Sequence, residues 1–283
     1  MMATLKNMKH WWLNNRWKML LALWGLALVV VAVLLLRRCG GDEQQAPAQA
    51  MTSAEVDGLR EVVVPKGVKN EWLSYTGFIV NFNATMHVPN SVSYVLTCNR
   101  LNGTVERYGE FEQAPDVEGC PQPTAYKRSG YQRGHMAPAQ DMAWSEESMH
   151  ASFYMTNVCP QSKRLNEDAW SKLEEKVREW VMRDSVLVVV TGPVLHNNLE
   201  RIDGSEVVIP EQFYKVIIAP YAVPMRSIGF IYPNGPCSDA LKDYAVTVDE
   251  VERVTRLDFF MALPDRMEEP VESRCNLLEW CRP

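Results

Sequence analysis

The 283-residue sequence predicts an α+β domain with a central antiparallel sheet, preceded by one N-terminal transmembrane helix. Three observations predict it. Residues 19–36 form an uncharged apolar run; five short stretches rich in Val, Ile, Phe and Tyr are punctuated by Pro and Gly; and a strongly amphipathic helical segment stands unevenly among them.

The apolar run reads MLLALWGLALVVVAVLLL from Met19 to Leu36. As a helix it extends roughly 27 Å at ~1.5 Å per residue, enough to cross a bilayer. Trp11, Trp12 and Trp17 lie just before it, where indole rings suit the headgroup region. Lys6, Lys9, Arg16 and Lys18 precede it against Arg37 and Arg38 after it, which orients residues 1–18 to the cytoplasm and the bulk to the outside of the inner membrane, periplasmic or extracellular. The run exceeds the ~7 to 15 residues of a cleaved signal peptide and is followed directly by two arginines, so an uncleaved anchor is expected. Residues 37–55 are rich in Gly, Gln, Ala and Pro and read as a tether, leaving 56–283 as the domain.

The strand-like stretches are Thr76 to Phe82, Ser91 to Thr97, Ser185 to Thr191, Phe213 to Ala219 and Ser227 to Tyr232. The helix runs from Glu167 to Arg183 and places Trp170, Leu173, Val177, Trp180 and Val181 on one face. A second, shorter helix follows Thr247, where Thr247-Val248-Asp249-Glu250 resembles a capping box. Seven cysteines occur without a CxxC pair or zinc spacing, which argues against a structural zinc site; the six after Cys39 allow up to three disulfides in an oxidising compartment.

Charge limits the partners. With six of the 29 basic residues in the first 38 positions, the remaining 23 face all 35 acidic ones, a net of about −12. A duplex-wide basic footprint is excluded, so any grip on phosphate is local. Tyr131 to Pro138 sets Arg133, Gly134 and His135 side by side, a cation and a base of the kind phosphodiester hydrolysis needs. Alone, such a histidine near a turn is more often a hydrogen-bonded surface residue. The second cluster contains Asn157, Pro160 and Gln161, then Asn166, Glu174 and Arg178. Asn166 immediately before the helix reads as an N-cap, and Glu174 with Arg178 as a surface i, i+4 pair. On a helical wheel, though, Glu174 falls roughly 70° from the centre of the apolar stripe and near the side holding Asn166, which points both to a packed boundary.

Together the two clusters resemble the DNA/RNA non-specific endonucleases of the ββα-metal superfamily, with their D-R-G-H segment, N-x-x-P-Q segment and a helix opening L-N and carrying E and R. The matching residues are Arg133, Gly134 and His135; Asn157, Pro160 and Gln161; and Leu165, Asn166, Trp170, Glu174 and Arg178. The similarity extends through Thr191-Gly192-Pro193, Ile209-Pro210, Phe213, Lys215, Pro233-Asn234, Glu252 and Asp258-Phe259-Phe260. It implies a ββα-metal nuclease domain in which His135 activates water and Asn166 is the direct protein ligand of a Mg²⁺ ion, with Mn²⁺ able to replace it. It implies further that Glu174 holds the ion's hydration shell, that Arg133 and Arg178 neutralise phosphate, and that Asn157 helps position the site. One departure stands out. Gln132 occupies the family's Asp position, which removes negative charge near the cation. Lys127, Arg128, Lys163 and Arg164 flank the clusters as a candidate phosphate-facing patch. The resulting expectation is a membrane-anchored, sugar-non-specific endonuclease acting on DNA and RNA. The alternatives are a phosphodiesterase on small phosphate esters and a catalytically weak nucleic-acid-binding envelope protein.

Overall fold

The computed structural model describes residues 51–281. The expected cytoplasmic stretch 1–18 and membrane segment 19–36 lie outside the described residues, among which no helix is long and apolar enough to cross a membrane. The chain enters the domain through α1 (Ser53–Gly58), capped reciprocally by Thr52 and Glu55. That capping box starts a helix inside the stretch expected to be tether, and Val56 is buried in the domain core.

In chain order the strands are β1 (Glu71–Tyr75), β2 (Phe78–Asn83), β3 (Val88–Thr97), β4 (Gln132–His135), β5 (Val158–Gln161), β6 (Val186–Pro193), β7 (Gln212–Ala219), β8 (Arg226–Pro233) and β9 (Ala245–Val246). Seven of them form one antiparallel sheet ordered β1-β2-β3-β6-β7-β8-β9, and β4 pairs with β5 as a separate ribbon. The five expected strands correspond to β2, β3, β6, β7 and β8, each with ends shifted by up to three residues. The remaining helices are α2 (Glu146–Ser152), α3 (Trp170–Asp184), α4 (Val248–Thr255), α5 (Asp265–Glu272) and α6 (Leu277–Cys281).

Alternation along β7 shows how the sheet divides the domain. Phe213 and Ile217 pack into the core that includes Trp170, Leu173 and Val177 of α3, while Tyr214, Val216 and Ile218 face Val248 and Val251 of α4 and Val271 of α5. Both faces are covered, so the central strands are apolar almost continuously. The α3 stripe is the one the periodicity predicts: Trp170, Leu173, Val177, Trp180 and Val181 are all buried, each stabilising by roughly 1.5–3 kcal/mol. The helix ends at Ser185, whose left-handed φ of 67° lets its N–H bond to the Val181 carbonyl at 2.8 Å.

The helix onset differs from expectation. A π-helical turn, Leu165–Ala169, precedes α3, and the side chain that caps the start is Ser162, whose Oγ accepts from the Leu165 N–H at 3.2 Å. Asn166 donates its own N–H to the Ser162 carbonyl at 3.0 Å and is therefore inside the helical turn, with its side chain free of capping duty. Thr247 does cap α4, accepting from the Glu250 N–H at 3.1 Å, but the Glu250 carboxylate turns to Arg253 instead of completing the box. The six cysteines among the described residues are free thiols.

Candidate active site

The β4-β5 ribbon and the turn leading into α3 form a ββα unit on one face of the sheet. His135 closes β4 opposite Val158, and Gly134 stands opposite Cys159. A side chain at Gly134 is impossible without rearrangement, because a Cβ there would collide with the Gln161 side chain. This close approach explains the glycine between Arg133 and His135. Two asparagines hold the ribbon. Asn157 is buried, accepts from the Ala137 N–H at 2.9 Å and donates to the carbonyls of Ala137 (3.0 Å) and Ser152 (2.9 Å), fixing the chain just beyond His135. Asn234 accepts from the Ser162 N–H at 2.7 Å and donates to the carbonyls of Pro160 (3.0 Å) and Pro210 (2.8 Å), which ties the end of β5 to the helix start.

These elements surround a cavity of about 570 Å³ whose wall includes Gln132, Arg133, His135, Asn166, Glu174 and Arg178. The structure thus brings together five of the six candidate residues. Asn157 lies behind the wall and does not line it, so its part is to position the backbone after His135.

His135 sits between aromatic rings, with centroids 5.1 Å from Phe111 and 4.9 Å from Phe153. Its side chain makes no hydrogen bond, and Nε2 is buried without a partner. Burial, reinforced by the Arg107 charge, pushes its pKa down to about 3, so the ring is neutral and able to accept a proton at ordinary pH. Arg107 lies over the Phe153 ring at 5.0 Å and joins Arg133 and Arg178 as the cations of the cavity. Arg133 donates to the Pro123 carbonyl from Nε (3.2 Å) and Nη2 (2.8 Å), which orients its guanidinium.

Beneath the cavity lies a charge cluster. Arg178 donates to the fully buried Asp141 at 3.1 Å, and the Tyr94 hydroxyl donates to the same carboxylate at 3.2 Å. Lys215, fully buried on β7, places Nζ 4.5 Å from the Trp170 ring centroid and without a hydrogen-bond partner. Burial lowers the Lys215 pKa while Glu174 and Asp141 hold it up. Burial raises that of Glu174 while Lys215 and Arg178 oppose the rise. The Glu174–Arg178 pair read from sequence as a surface contact is instead part of this network, because Arg178 turns to Asp141.

A hard cation fits the donors present. The Asn166 Nδ2 donates to Gln132 Oε1 at 2.7 Å, which leaves the Asn166 carbonyl oxygen as the atom free to ligate, and the carboxylates of Glu167 and Glu174 share the wall with no thiolate among them. Gln132 also donates to Glu167, so its amide bridges the two residues where an aspartate would add charge. Lys127, Arg128, Lys163 and Arg164 are exposed and none lines the cavity, because the helix start turns Lys163 and Arg164 outward and Lys163 pairs with Glu167 at 3.7 Å. Sequence reasoning missed Arg107 and Asp141 as site components and gave Lys215 no role. Only Lys215 carried a local signal, as a lone charge in an apolar strand.

An α+β fold with a central antiparallel sheet thus carries a ββα unit that frames a neutral histidine, an amide oxygen and three arginines. By comparison with known proteins, the chain belongs to the DNA/RNA non-specific endonuclease family, whose model matches residues 55–266. It is 32% identical over 228 residues to a mitochondrial nuclease EXOG of Danio rerio, covering 74% of this chain and 66% of that protein. It is 26% identical over 268 residues to a nuclease of Nostoc sp., covering 88% and 97% of the two chains. A chain of the crystal structure of the EndoG/EndoGI complex superposes with a TM-score of 0.66 at 27% identity, over 77% of this chain and 96% of that one. The chain spans 66% and 54% of the length of two mitochondrial relatives it matches, from Danio rerio and Saccharomyces cerevisiae.

Proposed function

We propose that this chain hydrolyses phosphodiester bonds in DNA and RNA without regard to base sequence, with His135 as general base and the Asn166 oxygen as ligand of one Mg²⁺-class ion. The observation that carries the reading is the neutral, unpartnered imidazole of His135 in one cavity wall with Asn166, Arg133 and Arg178. His135 takes a proton from the attacking water, and its lowered pKa keeps it unprotonated beforehand. Arg133 and Arg178 neutralise the phosphate as charge builds on its oxygens. Glu174, whose charged form Lys215 and Arg178 favour, orients water on the cation side of the cavity. When bound, a Mg²⁺ or Mn²⁺ ion supplies Lewis-acid stabilisation of the departing 3′ oxygen. None of these groups reads a base edge, which supports sequence-independent cleavage.

The sequence supports a location as well: the apolar segment 19–36, flanked by basic residues and preceded by tryptophans, would hold the nuclease domain at the outer face of the cytoplasmic membrane. The test is cleavage of supercoiled plasmid and of a structured RNA by the full chain in detergent. Nicking and linearisation with Mg²⁺, stopped by EDTA, is the expected result. Full activity in His135→Ala overturns the mechanism, and hydrolysis of a dinucleotide ester with plasmid left intact moves the substrate to small phosphate esters.

A further inference from the structure

On the face of the sheet opposite the cavity, α4 and α5 bring three carboxylates together. Oxygen atoms of Asp249, Glu252 and Glu272 all lie within 4.8 Å of one another. Asp249 and Glu252 are three apart on α4 and share a face, while Glu272 is the last residue of α5. A carboxylate there meets the negative end of the helix dipole, a position that favours positive charge.

Glu272 is only 6% exposed, and its Oε1 is buried with no hydrogen-bond partner. Among the described residues neither it nor Asp249, Glu252, Asp258 or Glu268 takes part in an ion pair. Burial and the carboxylates of Glu252, Glu268, Asp249 and Asp258 all act to raise its pKa. An isolated buried carboxylate is costly unless it is neutralised or paired, and here no protein cation does so. Glu252 is pre-oriented, because Oε1 accepts from the Phe259 N–H at 2.9 Å. Asp249 is exposed, which gives an ion a path from solvent.

We propose that Asp249, Glu252 and Glu272 form a second cation site, of the Ca²⁺ class, that clamps α4 to α5. Oxygens within 4.8 Å of one another can all reach a single Ca²⁺ ion at roughly 2.4 Å. The all-oxygen, three-carboxylate donor set with one open side suits a hard ion that keeps some of its waters. The site is independent of the catalytic reading, because it lies across the sheet and uses none of the cavity residues.

Equilibrium dialysis of ⁴⁵Ca²⁺ against the EDTA-treated, desalted full chain tests it, with Asn166→Ala as the background that removes the cavity's proposed ligand. One ion per Asn166→Ala chain is expected, with affinity at least tenfold weaker after adding Glu272→Gln. Asp249→Asn, at an exposed position without packing risk, is expected to weaken binding in the same direction. In the otherwise unaltered chain, Glu272→Gln is expected to keep Mg²⁺-dependent plasmid cleavage within twofold. Absence of Ca²⁺ binding to Asn166→Ala at millimolar concentration, or binding that is unchanged by both Glu272→Gln and Asp249→Asn, overturns the proposal.

Discussion

The two faces of the sheet handle buried negative charge in opposite ways. Toward the cavity, Asp141 and Glu174 are met by Arg178 and Lys215, so the charges are balanced by side chains of the protein itself. Toward α4 and α5, Glu252 and Glu272 are surrounded by further carboxylates, and burial pushes their pKa values up to about 7 and about 9. The difference teaches what each arrangement is suited to. A network balanced from within holds its geometry whether or not a ligand is present, which a preorganised reaction site requires. An unbalanced cluster is stable only with a proton or a cation supplied from outside.

The largest expected effect lies on the balanced face. His135→Ala should reduce plasmid cleavage by roughly 10²- to 10⁴-fold with little change in Tm, since the imidazole makes no hydrogen bond that the fold would lose. An equal loss of Tm and activity would mean that the ring is structural. Next comes Lys215→Met, which removes one of two cations from a buried network and should cost about 3 kcal/mol in urea unfolding. Adding Glu174→Gln should recover part of that loss. If the double variant is instead as unstable as the sum of the singles, the two charges do not balance each other.

A smaller effect concerns acid. The folded-state pKa of His135, about 3, lies below the ordinary value of ~6.5 in an unfolded chain. The unfolded chain therefore takes up a proton first as pH falls, and the stability this group contributes is intact above ~6.5 and lost on the way down toward ~3. The wild type should lose stability through that window more steeply than His135→Phe, by at most about 1.4 kcal/mol per pH unit; parallel curves would place the ring in contact with solvent. The smallest effect is expected of Gln132→Asp, which adds a charge beside Asn166 and should lower the half-saturating Mg²⁺ concentration a few-fold in the cleavage assay.

The central strands were legible because Val and Ile crowd 186–190 and 216–218, and α3 because its apolar residues recur at helical spacing. β1 escaped because Glu71–Tyr75 is a half-exposed edge strand without a strong alternation. The β4-β5 ribbon escaped for another reason: QRGH and VCPQ have no strand pattern, and what holds them is the Gly134–Gln161 approach and the amides of Asn157 and Asn234. In the candidate site the residues adjacent in sequence were readable, as Arg133 and His135 show. The partnership of Asp141 with Arg178, 37 positions apart, and with the distant Lys215 had no local trace. The reading of Asn166 as a helix cap, which its place before the helix suggests, fails because a π-helical turn cannot be recognised from spacing alone; its expected role as metal ligand came from the resemblance.

That turn also makes the proposed activity vulnerable to a change that ordinary stability screening would reward. A π-helical turn holds one residue more than the α-helix would need, so deleting a single position within Leu165–Ala169 would let the segment relax into regular helix. The stripe from Leu173 to Val181 would keep its seat on the sheet and the chain before the turn would keep its course, so the change would fall on the side chains of the turn itself. Asn166 would then leave the cavity it now shares with His135. Directed evolution toward heat resistance should therefore encounter shortened variants that fold better and cut nothing, and their recovery would mark this extra residue as one retained for activity at the expense of helical regularity.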